Sequence, residues 1–298
     1  MDGDTNTVAA YPAAAELNAE IQRFVQQLAA AVSGPPIELP SYPVVALRVQ
    51  RILMDPNAGT ERVITIIGSE PVLASKVIMM ANSAALNRVG SQVSDLRSAV
   101  KRLGFDALRT AAISFAISQL RGAAAYRSIV EPMKQLYQSS VEAAAMSHVL
   151  ARQCDRATPD AAMLAGLVSG MGKLYILTRT DQFPLLFADN WVREEMLHEW
   201  HAQVARSILE NWQFAPEVVE AVAEMERATL DSRTRANLAD VLACSHTILQ
   251  NRDSPQRLAS ALQASRAAQR LGLKPDLCRT LLAQSSAELM QLRRALGG

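Results

Sequence analysis

Residues 162–177 read AMLAGLVSGMGKLYIL, about four helical turns that are apolar on nearly every side. A helix of that kind cannot sit on a surface. Other helices must wrap it, so the chain needs a core with one central, covered element. Yet the run places Ser169, Gly170, Gly172 and Lys173 where Leu and Ala would be expected. Gly inside a helix costs about 1 kcal/mol relative to Ala. Something about the surroundings must require these residues.

The rest of the chain supplies the wrapping. Leu17, Ile21, Phe24, Leu28 and Val32 recur at three- and four-residue steps and end at Ser33-Gly34-Pro35-Pro36, an amphipathic helical arm over residues 1–36. Its apolar face must be covered, either by the same chain or by a partner. Short helices follow. Thr60 is placed to cap one, and Pro71 and Pro159 open others in the first turn, where a missing N–H does no harm. Leu96, Val100 and Leu103 precede a stop at Gly104, and Leu108, Ala112 and Phe115 begin a second stripe. Ser254-Pro255 and Lys274-Pro275 repeat the cap-then-proline opening near the C-terminus. Aromatic residues make up only 5% of the chain, and strand-like alternation is nowhere sustained. The expected fold class is all-α.

Bulk properties narrow the function classes. A net charge of +1 gives no whole-molecule field for nucleic acid or anionic membrane. Cys154, Cys244 and Cys278 are few, scattered and without metal-ligand spacing, which fits a reduced, cytoplasmic setting. The acidic, polar N-terminus is no signal peptide, and no uninterrupted apolar window calls for a membrane span. No phosphate-binding loop, dinucleotide-binding glycine pattern or nucleophile elbow is present.

Several motifs in order resemble the HDOD domain, a relative of the HD metal phosphohydrolases. In the opening segment these are Leu39-Pro40, Pro43, Asp55-Pro56, Pro71 and Ala81-Asn82-Ser83; then come Leu103-Gly104 with Leu108-Arg109, the segment AGLVSGMGKLYIL, and HAQVARSILENWQFAPEVVEAVAEM. The resemblance implies an HD/HDOD-type multi-helix bundle over 37–230. The arm 1–36 precedes it, and extra C-terminal helices over 231–298 pack on its body.

The departures from the HD pattern carry the functional reading. HD hydrolases hold metal with a His from one helix, an adjacent His-Asp pair from the next, and further His or Asp residues. The resemblance places Ser139, Ser169-Gly170 and Met225-Glu226 at those positions, and only His201 matches a histidine. Ser and Gly offer no imidazole, thiolate or carboxylate, so a hydrolytic metal lacks its ligands. The expectation is a non-enzymatic protein with no cofactor. Its retained glycines would reflect close helix approach on an inherited scaffold.

Candidate surfaces are the degenerate cleft around Ser139, Ser169, Gly170, Lys173 and His201, and a partner-docking arm presenting Leu17, Ile21, Phe24 and Leu28. Lys173 is read first as a lysine that snorkels out of a packed helix. His201 is read first as a hydrogen-bonded structural histidine. His198 and His201 share a helix face, but no third metal ligand stands near them in sequence. His148 and His246 sit singly on amphipathic helices and read as packing or solvated residues. Met79-Met80 read as gap-fillers of the core.

The resemblance implies a bacterial signal-transduction regulator or scaffold acting through protein–protein interaction. Its partners would be other signalling proteins, in a cyclic-nucleotide second-messenger, motility or stress circuit. Two alternatives stay open. One is residual nucleotide binding or phosphohydrolysis in the old cleft. The other is nucleic-acid binding through residues 251–298, where eight Lys/Arg face three Asp/Glu. The latter is disfavoured because the charges are dispersed over two helices. The helix–Gly104–helix unit is likewise too apolar to read DNA.

Overall fold

The computed structural model describes residues 10–34, 44–55, 57–87, 90–120, 129–154, 157–212, 214–284 and 286–296. Among these residues there are helices and no strand. In chain order they are α1 (Ala10–Ser33), α2 (Val44–Met54), α3 (Thr60–Gly68), α4 (Pro71–Ala81), α5 (Leu96–Arg102) and α6 (Phe105–Leu120). The middle holds α7 (Val130–Cys154), α8 (Pro159–Val168), α9 (Met171–Leu177), α10 (Pro184–Ala188), α11 (Asn190–Asn211) and α12 (Pro216–Ala228). The C-terminal part is α13 (Leu238–Gln250), α14 (Pro255–Ala264), α15 (Arg266–Arg270), α16 (Pro275–Gln284) and α17 (Ser286–Leu296).

The apolar run expected as one helix is two. Thr158 caps α8 by accepting from the Ala161 N–H, and Pro159 fills its first turn. Ser169 then closes α8, and Gly170 starts α9. Every residue from Ala161 to Val168 is buried, chiefly against α7. The stretch Pro159–Gln182 is long and apolar enough to cross a membrane by composition, but 83% of its apolar window is buried inside the protein.

The glycines are explained by backbone contact. A Cβ on Gly172 would lie 1.9 Å from the His201 carbonyl oxygen on α11, and one on Gly166 would lie 2.6 Å from the Ala143 backbone on α7. Neither neighbour is a side chain that could turn away. Two helix pairs, α8 with α7 and α9 with α11, therefore meet at spacings that only glycine permits.

The N-terminal arm is spent on its own chain. Phe24 and Leu28 are fully buried and Leu17 and Ile21 partly so, against α10 and α11. Phe24 makes edge-on contacts with Phe183 and Phe187 at centroid distances of 5.1 and 5.8 Å. The Glu20 carboxylate accepts the Leu186 N–H at 2.7 Å, capping α10. Of the two covers left open for the arm's stripe, the same chain supplies one for Phe24 and Leu28.

Helix α6 belongs to the core, with Leu108, Ala112, Ile113 and Phe115 all buried. Asn82 ends α4 and ties it to the following loop through both amide atoms, to the Val93 N–H and carbonyl. Met80 fills the core as expected, but Met79 is half exposed.

The C-terminal helices are bolted on by charge. Arg270 of α15 reaches the buried Asp240 carboxylate of α13 at 2.6 Å, and donates to the carbonyls of Ala228 and Asp231. Burial raises the Asp240 pKa, but the bonds from Arg270 and Arg233 outweigh it and hold the carboxyl below its usual range. At the far end, the Leu296 carbonyl at the foot of α17 accepts from Lys76 Nζ at 2.9 Å, and also meets the Ser114 and Tyr137 hydroxyls. A lysine at a helix C-terminus also complements the helix dipole.

Candidate functional site

The break between α8 and α9 opens onto a cleft of about 830 Å³ walled by α7, α9, α12 and α13. Ser139, Ser169, Gly170, Lys173 and Met225 all line it. The positions singled out by resemblance therefore come together in space, although they span nearly ninety residues of sequence. His201 sits just behind the wall, 1% exposed, joined to the cleft through Glu226.

Four of the former ligand positions, Ser139, Ser169, Gly170 and Met225, offer little to a cation. The Ser169 hydroxyl donates to the Gly166 carbonyl at 2.8 Å and stands 3.3 Å from His246 Nε2. Gly170 faces α7 so closely that a Cβ would meet Ser140 Oγ at 2.6 Å and Leu136 at 3.1 Å. An aspartate there would need Ser140 to turn away and Leu136 to move. Ser139 is exposed on the outer turn of α7, and Met225 offers only a weakly donating thioether. Neutral hydroxyl, hydrogen and thioether groups do not make the hard, charged donor set of a hydrolytic divalent metal. The residues present do not fit the metal centre that the HD scaffold implies.

What the cleft does hold is a mixed polar lining. Glu142 is ion-paired with Arg252 at 2.8 Å and Arg293 at 3.1 Å. Lys173 is half-buried in the wall, and Arg227, Thr229, Thr247 and Gln250 complete the polar rim. Leu230 stands at the mouth with 79% of its surface exposed. Lys173 leaves its packed helix on the side that lines the cleft.

Glu226 and His246 are the functional-looking residues that sequence reasoning passed over. His201 Nε2 lies 2.9 Å from Glu226 Oε1, and His198 Nδ1 lies 3.7 Å from Oε2. The hydrogen bond with His201 holds the Glu226 carboxyl below its usual range, against the opposing effect of burial and with help from nearby positive charge, including Lys173. Burial, reinforced by Lys173, pushes His246 down to about 4, so its ring is neutral at pH 7 and pairs with Ser169 without charge. The signal for Glu226 was its place beside Met225 at a former ligand position. His246 carried none, because its helix reaches the cleft only in three dimensions.

The described residues thus form an all-helical body whose inter-helix cleft is lined by Ser139, Ser169, Gly170 and Met225. The model of the HDOD domain matches residues 39–228. The chain belongs to the HDOD domain family. Solved structures share the fold. A candidate metal-dependent phosphohydrolase from Shewanella amazonensis SB2B superposes with a TM-score of 0.76 at 24% identity, over 93% of this chain and 99% of that one. An HDOD domain protein of unknown function from Geobacter sulfurreducens gives 0.60 at 19% identity, over 95% and 97%. A candidate signal transduction protein from Marinobacter aquaeolei VT8 gives 0.60 at 22%, over 99% and 68%. Among curated proteins, an uncharacterized protein of Treponema pallidum (strain Nichols) is 20% identical over 219 residues, 69% of this chain. The chain spans only 41% of that protein's length.

Proposed function

We propose that the chain is a non-catalytic regulator or scaffold of bacterial signal transduction that works in the cytoplasm by binding other signalling proteins. The observation that carries this reading is the state of the cleft: its volume persists while its former ligand positions are occupied by Ser139, Ser169, Gly170 and Met225. A volume without those metal ligands recognises by shape and by its polar rim. Leu230, isolated and exposed beside the polar rim, supplies the apolar anchor that such recognition uses. With the arm's stripe buried in its own chain, the cleft is the surface this proposal rests on.

The test is partner capture from the native host with full-length chain and with Leu230→Asp. An exposed charge should leave the thermal midpoint unchanged and abolish capture of the same partner. Equal capture by both proteins would remove the cleft mouth from the mechanism.

A second reading is supported by the cleft's size, which lies in the range of small-molecule pockets, and by Lys173 and Arg227 on its wall. In that reading the cleft binds a nucleotide-class anion without turning it over. Nucleic-acid binding by residues 251–298 is weakened by the ion pairs of Arg252, Arg270, Arg279 and Arg293, half of that segment's basic residues.

A further inference from the structure

The third ligand missing beside His198 and His201 in sequence is supplied by the fold. Both histidines sit on one face of α11, three residues apart, and α12 crosses there with Glu226 pointing between them. One donor atom from each of the three lies within 4.8 Å of the others. We propose that His198, His201 and Glu226 form a binding site for a single divalent transition-metal ion of the zinc type, clamping α11 to α12.

This site shares His201 and Glu226 with positions that the HD pattern gives to metal ligands, but His198 is not one of those positions. It uses neither Ser139, Ser169 nor Gly170, and it depends on His198, which lines a side groove of about 210 Å³ together with His201 and Glu226. The groove gives an ion a route from solvent. Two imidazole nitrogens and one carboxylate oxygen form a borderline-soft set that favours zinc, nickel or copper over magnesium or calcium. Metal–ligand bonds near 2.0–2.1 Å place tetrahedral donors about 3.3 Å apart. The observed separations, 2.9 Å from His201 to one Glu226 oxygen and 3.7 Å from His198 to the other, lie on either side of that value, so sharing a single oxygen requires a small turn of a side chain.

The remaining adjustment falls on His198, whose side chain is 71% exposed and free to turn, while burial fixes His201. His201 Nδ1 is buried without a hydrogen-bond partner. No acceptor behind the ring locks its tautomer, so Nε2 can present either a proton to Glu226 or a lone pair to a cation. Positive charge opposes the ion: Lys173 acts on Glu226, and Arg206 and Arg227 line the same groove. Arg206 is itself held by Glu210 and Glu224 at 3.7 Å, which lessens its effect. The fourth coordination position is left to water or to a partner's side chain.

The experiment is zinc titration of the full-length chain by calorimetry, with cobalt(II) absorption as a spectroscopic check and nucleotide and phosphodiester turnover measured on the zinc-loaded protein. One zinc per chain is expected, with a tetrahedral cobalt spectrum. His198→Ala and Glu226→Gln should each weaken binding at least tenfold, whereas His246→Gln, outside the set, should not. His198 is exposed, so its replacement does not threaten folding. Binding that is unchanged in the His198→Ala/Glu226→Gln double variant, or no binding at all, would overturn the site. Turnover by zinc-loaded protein that is lost in His198→Ala would instead uphold the site and sink the non-catalytic reading.

Discussion

Replacing Gly172 by Ala adds one carbon at the tightest point of the bundle. The new Cβ would stand 1.9 Å from the His201 carbonyl oxygen and 3.0 Å from the Ala205 nitrogen. An ordinary contact needs about 3.4 Å, so α9 and α11 must part by roughly 1.5 Å. Overpacking a dense core costs about 1–3 kcal/mol, and backbone on both sides places this case at the upper end. Better helix propensity returns at most about 1 kcal/mol. The net loss is about 2 kcal/mol, a fall in thermal midpoint of roughly 4–8 °C. Gly68→Ala is the matched control. It lies in the last turn of α3, and its added Cβ meets only a Leu96 methyl at 3.5 Å. That variant should be neutral or slightly stabilised. Thermal unfolding followed by circular dichroism reads both. If Gly172→Ala melts with the parent, the backbone-contact account of the glycines is wrong.

Phe24→Ala should cost about 3–5 kcal/mol by emptying the ring contacts with Phe183 and Phe187; denaturant melts showing under 1 kcal/mol would mean the arm is not docked. Arg270→Met leaves Asp240 buried with only Arg233 as a charged partner and should cost about 3–5 kcal/mol, read the same way. Because the Asp240 pKa is depressed on folding, the part of its stabilisation that depends on charge is present above its unfolded value and fades as pH falls through the folded one. His246 is also depressed, to about 4, so between roughly pH 6.5 and 4 the unfolded chain binds the extra proton and stability falls on acidification. Removing that titration with His246→Gln should flatten the stability–pH curve in this window by on the order of 2–3 kcal/mol. A curve of unchanged slope would deny the buried neutral ring.

Much of the fold was legible because short helices announce their own ends. Thr158-Pro159 and Ser254-Pro255 open helices where the cap chemistry says they should. The single long helix over 162–177 was misjudged for a physical reason: continuous hydrophobicity reports burial, not continuity. At the Ser169-Gly170 break the serine hydroxyl turns back to the Gly166 carbonyl, a bond no periodicity reveals. The cleft positions Ser139, Ser169, Gly170, Lys173 and Met225 could be assembled from motif order alone. The pairings of Glu226 with His201 and of His246 with Ser169 could not, because the partners are 25 and 77 residues apart and meet only through helix crossings. The fate of the arm was undecidable from its stripe. An amphipathic face predicts a cover, and only the position of Phe183 and Phe187 says the cover is the same chain.

The proposed function requires a cleft that performs no hydrolysis. Its most direct test is hydrolysis of phosphomonoesters, nucleotides and cyclic dinucleotides by purified full-length chain supplied in turn with manganese, magnesium and iron(II). The account predicts rates equal to protein-free controls in every case. Metal-dependent turnover that disappears in His201→Ala would contradict it.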